Sequence, residues 1–122
     1  MTTLSYTVMV YTGDLEGAGT DANVYLTIYG SKGELQETQL DSSDNNFERG
    51  KCDKFTFDLP DLGELQKVRI RQDNTRKHAG WYLDKIIISN DYGVSWTFPC
   101  YNWLSSDEGD RKIDRELQGT RS

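Results

Sequence analysis

The feature that most constrains this chain is a period-two alternation of apolar and polar residues that recurs along its length. Tyr6, Val8 and Val10 alternate with Thr7, Met9 and Tyr11, and Val24, Leu26 and Ile28 alternate with Tyr25, Thr27 and Tyr29. Successive side chains of a strand point to opposite faces, so the pattern describes half-buried strands. Further strands are expected at Gln36 to Leu40, Lys54 to Leu59, Lys67 to Gln72, Tyr82 to Ser89, Ser95 to Phe98 and Arg111 to Arg115, about eight in all. Ser31-Lys32-Gly33, Pro60-Asp61-Leu62-Gly63 and Asn90-Asp91-Tyr92-Gly93 supply turn chemistry between them. No helix-period segment competes, and the chain reads as an all-β antiparallel sandwich. Its 122 residues suit one domain, with residues 119–122 expected to form a frayed tail.

Charge and residue counts remove several function classes. Twenty acidic against fourteen basic residues leave a net charge of -6, which opposes nucleic-acid binding. The single histidine, His78, lies in the polar stretch Arg76-Lys77-His78, a poor setting for a Ser-His-Asp or Cys-His nucleophile. Cys52 and Cys100 are far apart, with neither a CxxC motif nor metal-type spacing, and read as free thiols, with a disulfide as the alternative. No apolar run reaches the roughly 20 residues of a membrane helix, and Met1-Thr2-Thr3-Leu4 does not open like a signal peptide. A cytoplasmic protein is expected.

Two loops carry the chemistry. Gly17-Ala18-Gly19-Thr20-Asp21-Ala22 matches the dinucleotide pattern G-x-G-x-x-A, but a strand pattern follows where a phosphate-binding helix would have to begin. Oxygen-bearing side chains crowd the same loop (Asp14, Glu16, Asp21) and a second one (Asp41, Asp44, Asn45, Asn46, Glu48). Calcium takes six to eight oxygens, and these loops could supply them jointly; solvated acidic turns are the alternative.

The ordered landmarks Thr12-Gly13-Asp14, Gly17 to Tyr25, Asn46-Phe47-Glu48-Arg49-Gly50, Leu62-Gly63-Glu64-Leu65, Val68-Arg69-Ile70, Asp73-Asn74, Trp81-Tyr82-Leu83-Asp84 and Phe98 to Leu104 resemble a PLAT, or lipoxygenase homology, domain over nearly the whole chain. The Gly17 to Val24 wording is most similar to repeats of tandem-PLAT proteins. The resemblance implies one sandwich of two four-stranded sheets over residues 1–118. It also implies a noncatalytic module without a small-molecule substrate, monomeric and peripheral to a membrane, that docks its parent protein on lipid or on a protein partner, often with calcium. By position, the implied calcium ligands are the carbonyls of Gly17 and Gly19 and the side chains of Asp21, Asn45, Asn46 and Glu48, with Asp41 beside them; Asp14 and Asp73 form a second, smaller set. Ala22 and Gly80 stand where some members carry acids. Glu16 and Arg76 stand where membrane-inserting members carry aromatic tips, which leaves Trp103, with Arg76 and Lys77, as the implied contact with lipid or partner.

Overall fold

The computed structural model describes residues 3–41, 46–75 and 79–121. Among them are nine strands and no helix: β1 (Thr3–Thr12), β2 (Val24–Gly30), β3 (Glu34–Gln39), β4 (Cys52–Pro60), β5 (Leu65–Gln72), β6 (Trp81–Asn90), β7 (Ser95–Leu104), β8 (Asp114–Gln118) and β9 (Thr120–Arg121). They form two antiparallel sheets, a five-stranded one in the order β4-β1-β6-β7-β9 and a four-stranded one in the order β3-β2-β5-β8. The all-β sandwich read from the alternation is therefore correct. Its core is built from the inward set: Tyr6, Val8 and Val10 of β1 and Val24, Leu26 and Ile28 of β2 are fully buried, against Val68, Ile70, Ile86, Ile88 and Phe98. Each such side chain contributes roughly 1.5–3 kcal/mol on leaving water.

Three strand expectations needed correction. The last strand of the four-stranded sheet runs over Asp114–Gln118, not Arg111 to Arg115. Arg111 has a positive φ of 63° and closes a turn by donating its N–H to the Glu108 carbonyl at 3.0 Å. Strand β7 does not stop at Phe98 but passes through Pro99 to Leu104. A proline is tolerated there because β9 pairs only with Trp96 and Thr97, so the far side of β7 is open beyond them. The expected frayed tail is also paired: Thr120 and Arg121 form β9, which makes the first sheet five-stranded rather than four. Gly119 allows this approach, since a Cβ at that position would run into the Phe98 ring.

The register decides where the loops lie. Tyr11 pairs with Cys52, Thr12 with Leu83, Val24 with Gln72, Trp81 with Leu104 and Arg71 with Asp114. Loops β1–β2, β3–β4, β5–β6 and β7–β8 consequently gather at one pole of the sandwich, and the three turns named from the sequence, two of them hairpins and the third a crossing from β4 to β5, lie at the other.

Candidate functional site

The loop pole is held together by backbone and short side chains. Thr20 donates its N–H to the Phe47 carbonyl at 3.0 Å and its hydroxyl to the Ala79 carbonyl at 2.6 Å, and its oxygen accepts from the Ala22 N–H. One threonine thus joins three loops. Gly19 lies flat against the second loop, where a Cβ would come within 3.0 Å of both the Phe47 carbonyl and the Arg49 nitrogen. Beneath this junction Phe47 is buried against Phe55 and, edge-on at 5.2 Å, against Trp81, whose indole N–H donates to the Thr12 hydroxyl at 2.9 Å. Asn23 donates its side-chain and backbone N–H groups to the Asp73 carboxylate at 2.9 and 3.2 Å, tying loop β1–β2 to loop β5–β6.

A cleft of about 180 Å³ opens between the first two loops, with Thr20, Asp21, Asn23, Asp41, Asn46 and Phe47 among its lining residues. Asp21 and Asp41 are both exposed, and neither has a hydrogen-bond or ion-pair partner among the described residues. The side chains that line the cleft include two carboxylates and the Asn46 amide but no thiol or imidazole, a chemistry that fits a hard cation such as calcium better than a softer metal. Gly17 and Gly19 line a neighbouring cleft of about 610 Å³ instead, with Glu16, Trp103, Asp107 and Glu108. Glu48 backs onto Gly19, its Cα 3.3 Å from where a Cβ on that glycine would sit.

The structure thus brings Asp21, Asp41 and Asn46 to one cleft and sets Gly19 and Glu48 at the same loop contact. Asn45, Arg76 and Lys77 lie outside the described residues. Asp14 and Asp73, named as a second set, have separate partners: Asp14 binds Arg49 at 3.0 Å, and Asp73 accepts from Asn23 and Thr75. Burial pushes the Asp73 carboxyl up, but hydrogen bonds from Thr75 and Asn23 outweigh it and hold the group below the ordinary carboxylate range. Among the described residues no three His, Cys, Asp or Glu side chains converge. Cys52 and Cys100 are both free thiols.

Trp103, the implied contact with lipid or partner, belongs to β7; it is half-buried, packs edge-on to Tyr82 at 5.3 Å, and its carbonyl accepts two hydrogen bonds from Arg115. The large apolar side chain that does project from the β1–β2 loop is Leu15, 44% exposed, which the sequence reading passed over. The signal available was a single leucine between Asp14 and Glu16, an apolar residue with no strand or helix pattern to bury it.

The PLAT/LH2 domain family model matches residues 6–118. The chain belongs to the PLAT/LH2 family. It is 47% identical over 114 residues to the lipoxygenase homology domain-containing protein 1 of Mus musculus, covering 92% of this chain and 6% of that protein. Among solved structures this PLAT domain resembles a coral 8R-lipoxygenase described as activated by calcium via a C2-like domain (TM-score 0.80, 30% identity, 94% of this chain and 17% of that one). It also resembles a calcium-dependent 11R-lipoxygenase (TM-score 0.68, 29% identity, 95% and 17%). The chain therefore spans only a small part of each of these proteins.

Proposed function

We propose that this PLAT domain is a noncatalytic module that binds calcium between loops β1–β2 and β3–β4 and so attaches its parent protein to a membrane surface, on the cytoplasmic side. The observation that carries the reading is the cleft that Asp21, Asp41 and Asn46 line together, with neither aspartate partnered among the described residues. Likeness to a lipoxygenase with calcium activation through its C2-like domain supports it. Asn45 and Glu48 and the carbonyls of Gly17 and Gly19 would complete the oxygen set. With a net charge of -6 the calcium-free domain is repelled by anionic headgroups. A divalent ion at this pole reverses the local sign, and Leu15, Trp103, Arg76 and Lys77 then meet the interface. Isothermal titration calorimetry of calcium into chelator-stripped protein tests the ion site. Heat is expected for the native chain, and its loss in Asp21→Ala and in Asp41→Ala; no heat at millimolar calcium would refute the reading.

A second reading is favoured by the larger cleft, whose carboxylates Glu16, Asp107 and Glu108 suit a protein partner better than an apolar lipid interior. In this reading the ion is structural, and the domain is a scaffolding unit that holds another protein. Calcium heat with no calcium-dependent sedimentation on anionic or zwitterionic vesicles would select it.

A further inference from the structure

Natural sheets protect their open edges by shortness, bulges, proline or charge. Strand β3 has six residues, a register shift against β2, and exposed Glu34, Gln36 and Glu37. Strand β8 has five residues and β9 two. The open half of β7 contains Pro99, a register shift opposite Leu83 and Lys85, and Tyr101 at a φ of 49°. Strand β4 is nine residues long and unbulged, and the exposed charges it carries, Lys54 and Asp58, are of opposite sign. Its register with β1 runs unbroken from Tyr11↔Cys52 to Thr3↔Pro60, and its only proline is its last residue. Among the described residues no strand pairs with its outer edge.

We propose that β4 is a self-association edge, through which two copies of this chain pair antiparallel about a twofold axis at Thr56. The sequence around Thr56 is complementary to its own reverse. With that axis, Lys54 of each copy lies opposite Asp58 of the other, Phe55 opposite Phe57, and Thr56 opposite Thr56. Axes at Phe55 or Phe57 would set Lys54 against Thr56 or Pro60 and lose both charge pairs. The faces agree as well: Lys54, Thr56 and Asp58 are exposed on the outer side, while Phe55 is buried and Phe57 half-buried on the inner side. Among the described residues Lys54 has no ion-pair partner, and Asp58 accepts the Ser5 hydroxyl at 3.1 Å and pairs with no cation. A groove of about 210 Å³ lined by Gln39, Asp41, Lys54, Phe55, Thr56 and Phe57 lies along this edge and has room for the second copy's Phe57 beside Phe55. The two five-stranded sheets then join into one. The proposal departs from the monomer expected from the sequence.

Sedimentation of the chain in a chelator, over a range of concentrations, tests the pairing independently of the calcium site. The expected result is a 14.0 kDa species that converts to twice that mass as concentration rises. Lys54→Asp and Asp58→Lys each turn both cross-strand pairs into like-charge pairs, and each is expected to weaken the dimer by about tenfold or more. The double variant Lys54→Asp/Asp58→Lys restores the complementarity and should restore dimerisation. Both side chains face solvent in the single chain, so an unchanged melting temperature shows that the variants still fold. A monomer up to the solubility limit, a dimer indifferent to the single reversals, or a double variant that fails to recover would each overturn the proposal.

Discussion

Thr12 and Trp81 show how a single hydroxyl can support the loop pole. The Trp81 ring is fully buried, and its N–H reaches only the Thr12 oxygen, itself buried. Thr12→Val preserves shape but leaves that donor unsatisfied, a loss of about 1–3 kcal/mol, which calorimetric melting would register as a drop of several degrees. Residue-scale chemistry was legible in the sequence where it rests on side-chain type. Asp21, Asp41 and Asn46 stood out as oxygen donors and do share a cleft. Their neighbours Gly17 and Gly19 were named for their carbonyls, whose direction no sequence pattern encodes, and they line a different cleft. The extension of β7 from Phe98 to Leu104 was not legible for a related reason: Pro99 follows the expected strand end, and only the open edge of β7 lets a proline continue the strand.

At the scale of elements, the Asn23–Asp73 contact latches loop β1–β2 to loop β5–β6. Burial raises the Asp73 carboxyl, but hydrogen bonds from Thr75 and Asn23 leave its folded pKa below the unfolded value. Such a group stabilises the fold above the ordinary carboxylate pKa, near 4, and that contribution disappears as pH falls through the depressed folded value. Glu37, held low by Arg71, and Asp110, held low by Arg115, act in the same direction. Melting temperature should therefore fall as pH is lowered from about 4, and less steeply in Asp73→Asn, whose amide does not titrate. A native-like acid slope in that variant would show that the latch is not a source of the dependence. Strand existence was legible from alternation, because burial of one face imposes period two. Strand ends were not, because a positive φ at Arg111 and the packing of Gly119 on Phe98 are tertiary facts.

For the whole molecule, the calcium reading makes two separable demands. A ligand that binds only the folded state adds RT ln(1 + [L]/Kd), about 2.7 kcal/mol at a hundredfold excess over Kd, so calcium should raise the melting temperature and a chelator should reverse the rise. Membrane attachment requires more than that ion. Four loops share the pole, and Thr3 and Arg121 lie at the opposite one, where Thr3 pairs with Pro60 and Arg121 with Trp96. A surface that meets the cleft therefore also meets Leu15, on the same loop as Asp21. If the ion only bridges carboxylates to anionic headgroups, raising salt should abolish vesicle sedimentation, and zwitterionic vesicles should never retain the domain. If Leu15 enters the interface, its apolar surface contributes up to roughly 1.5–3 kcal/mol at any salt concentration. Leu15→Asp should then reduce sedimentation on both vesicle types while leaving the heat of calcium binding unchanged. Equal sedimentation of Leu15→Asp and the native chain would assign attachment to the ion and the basic side chains alone, with the loop tip outside the lipid.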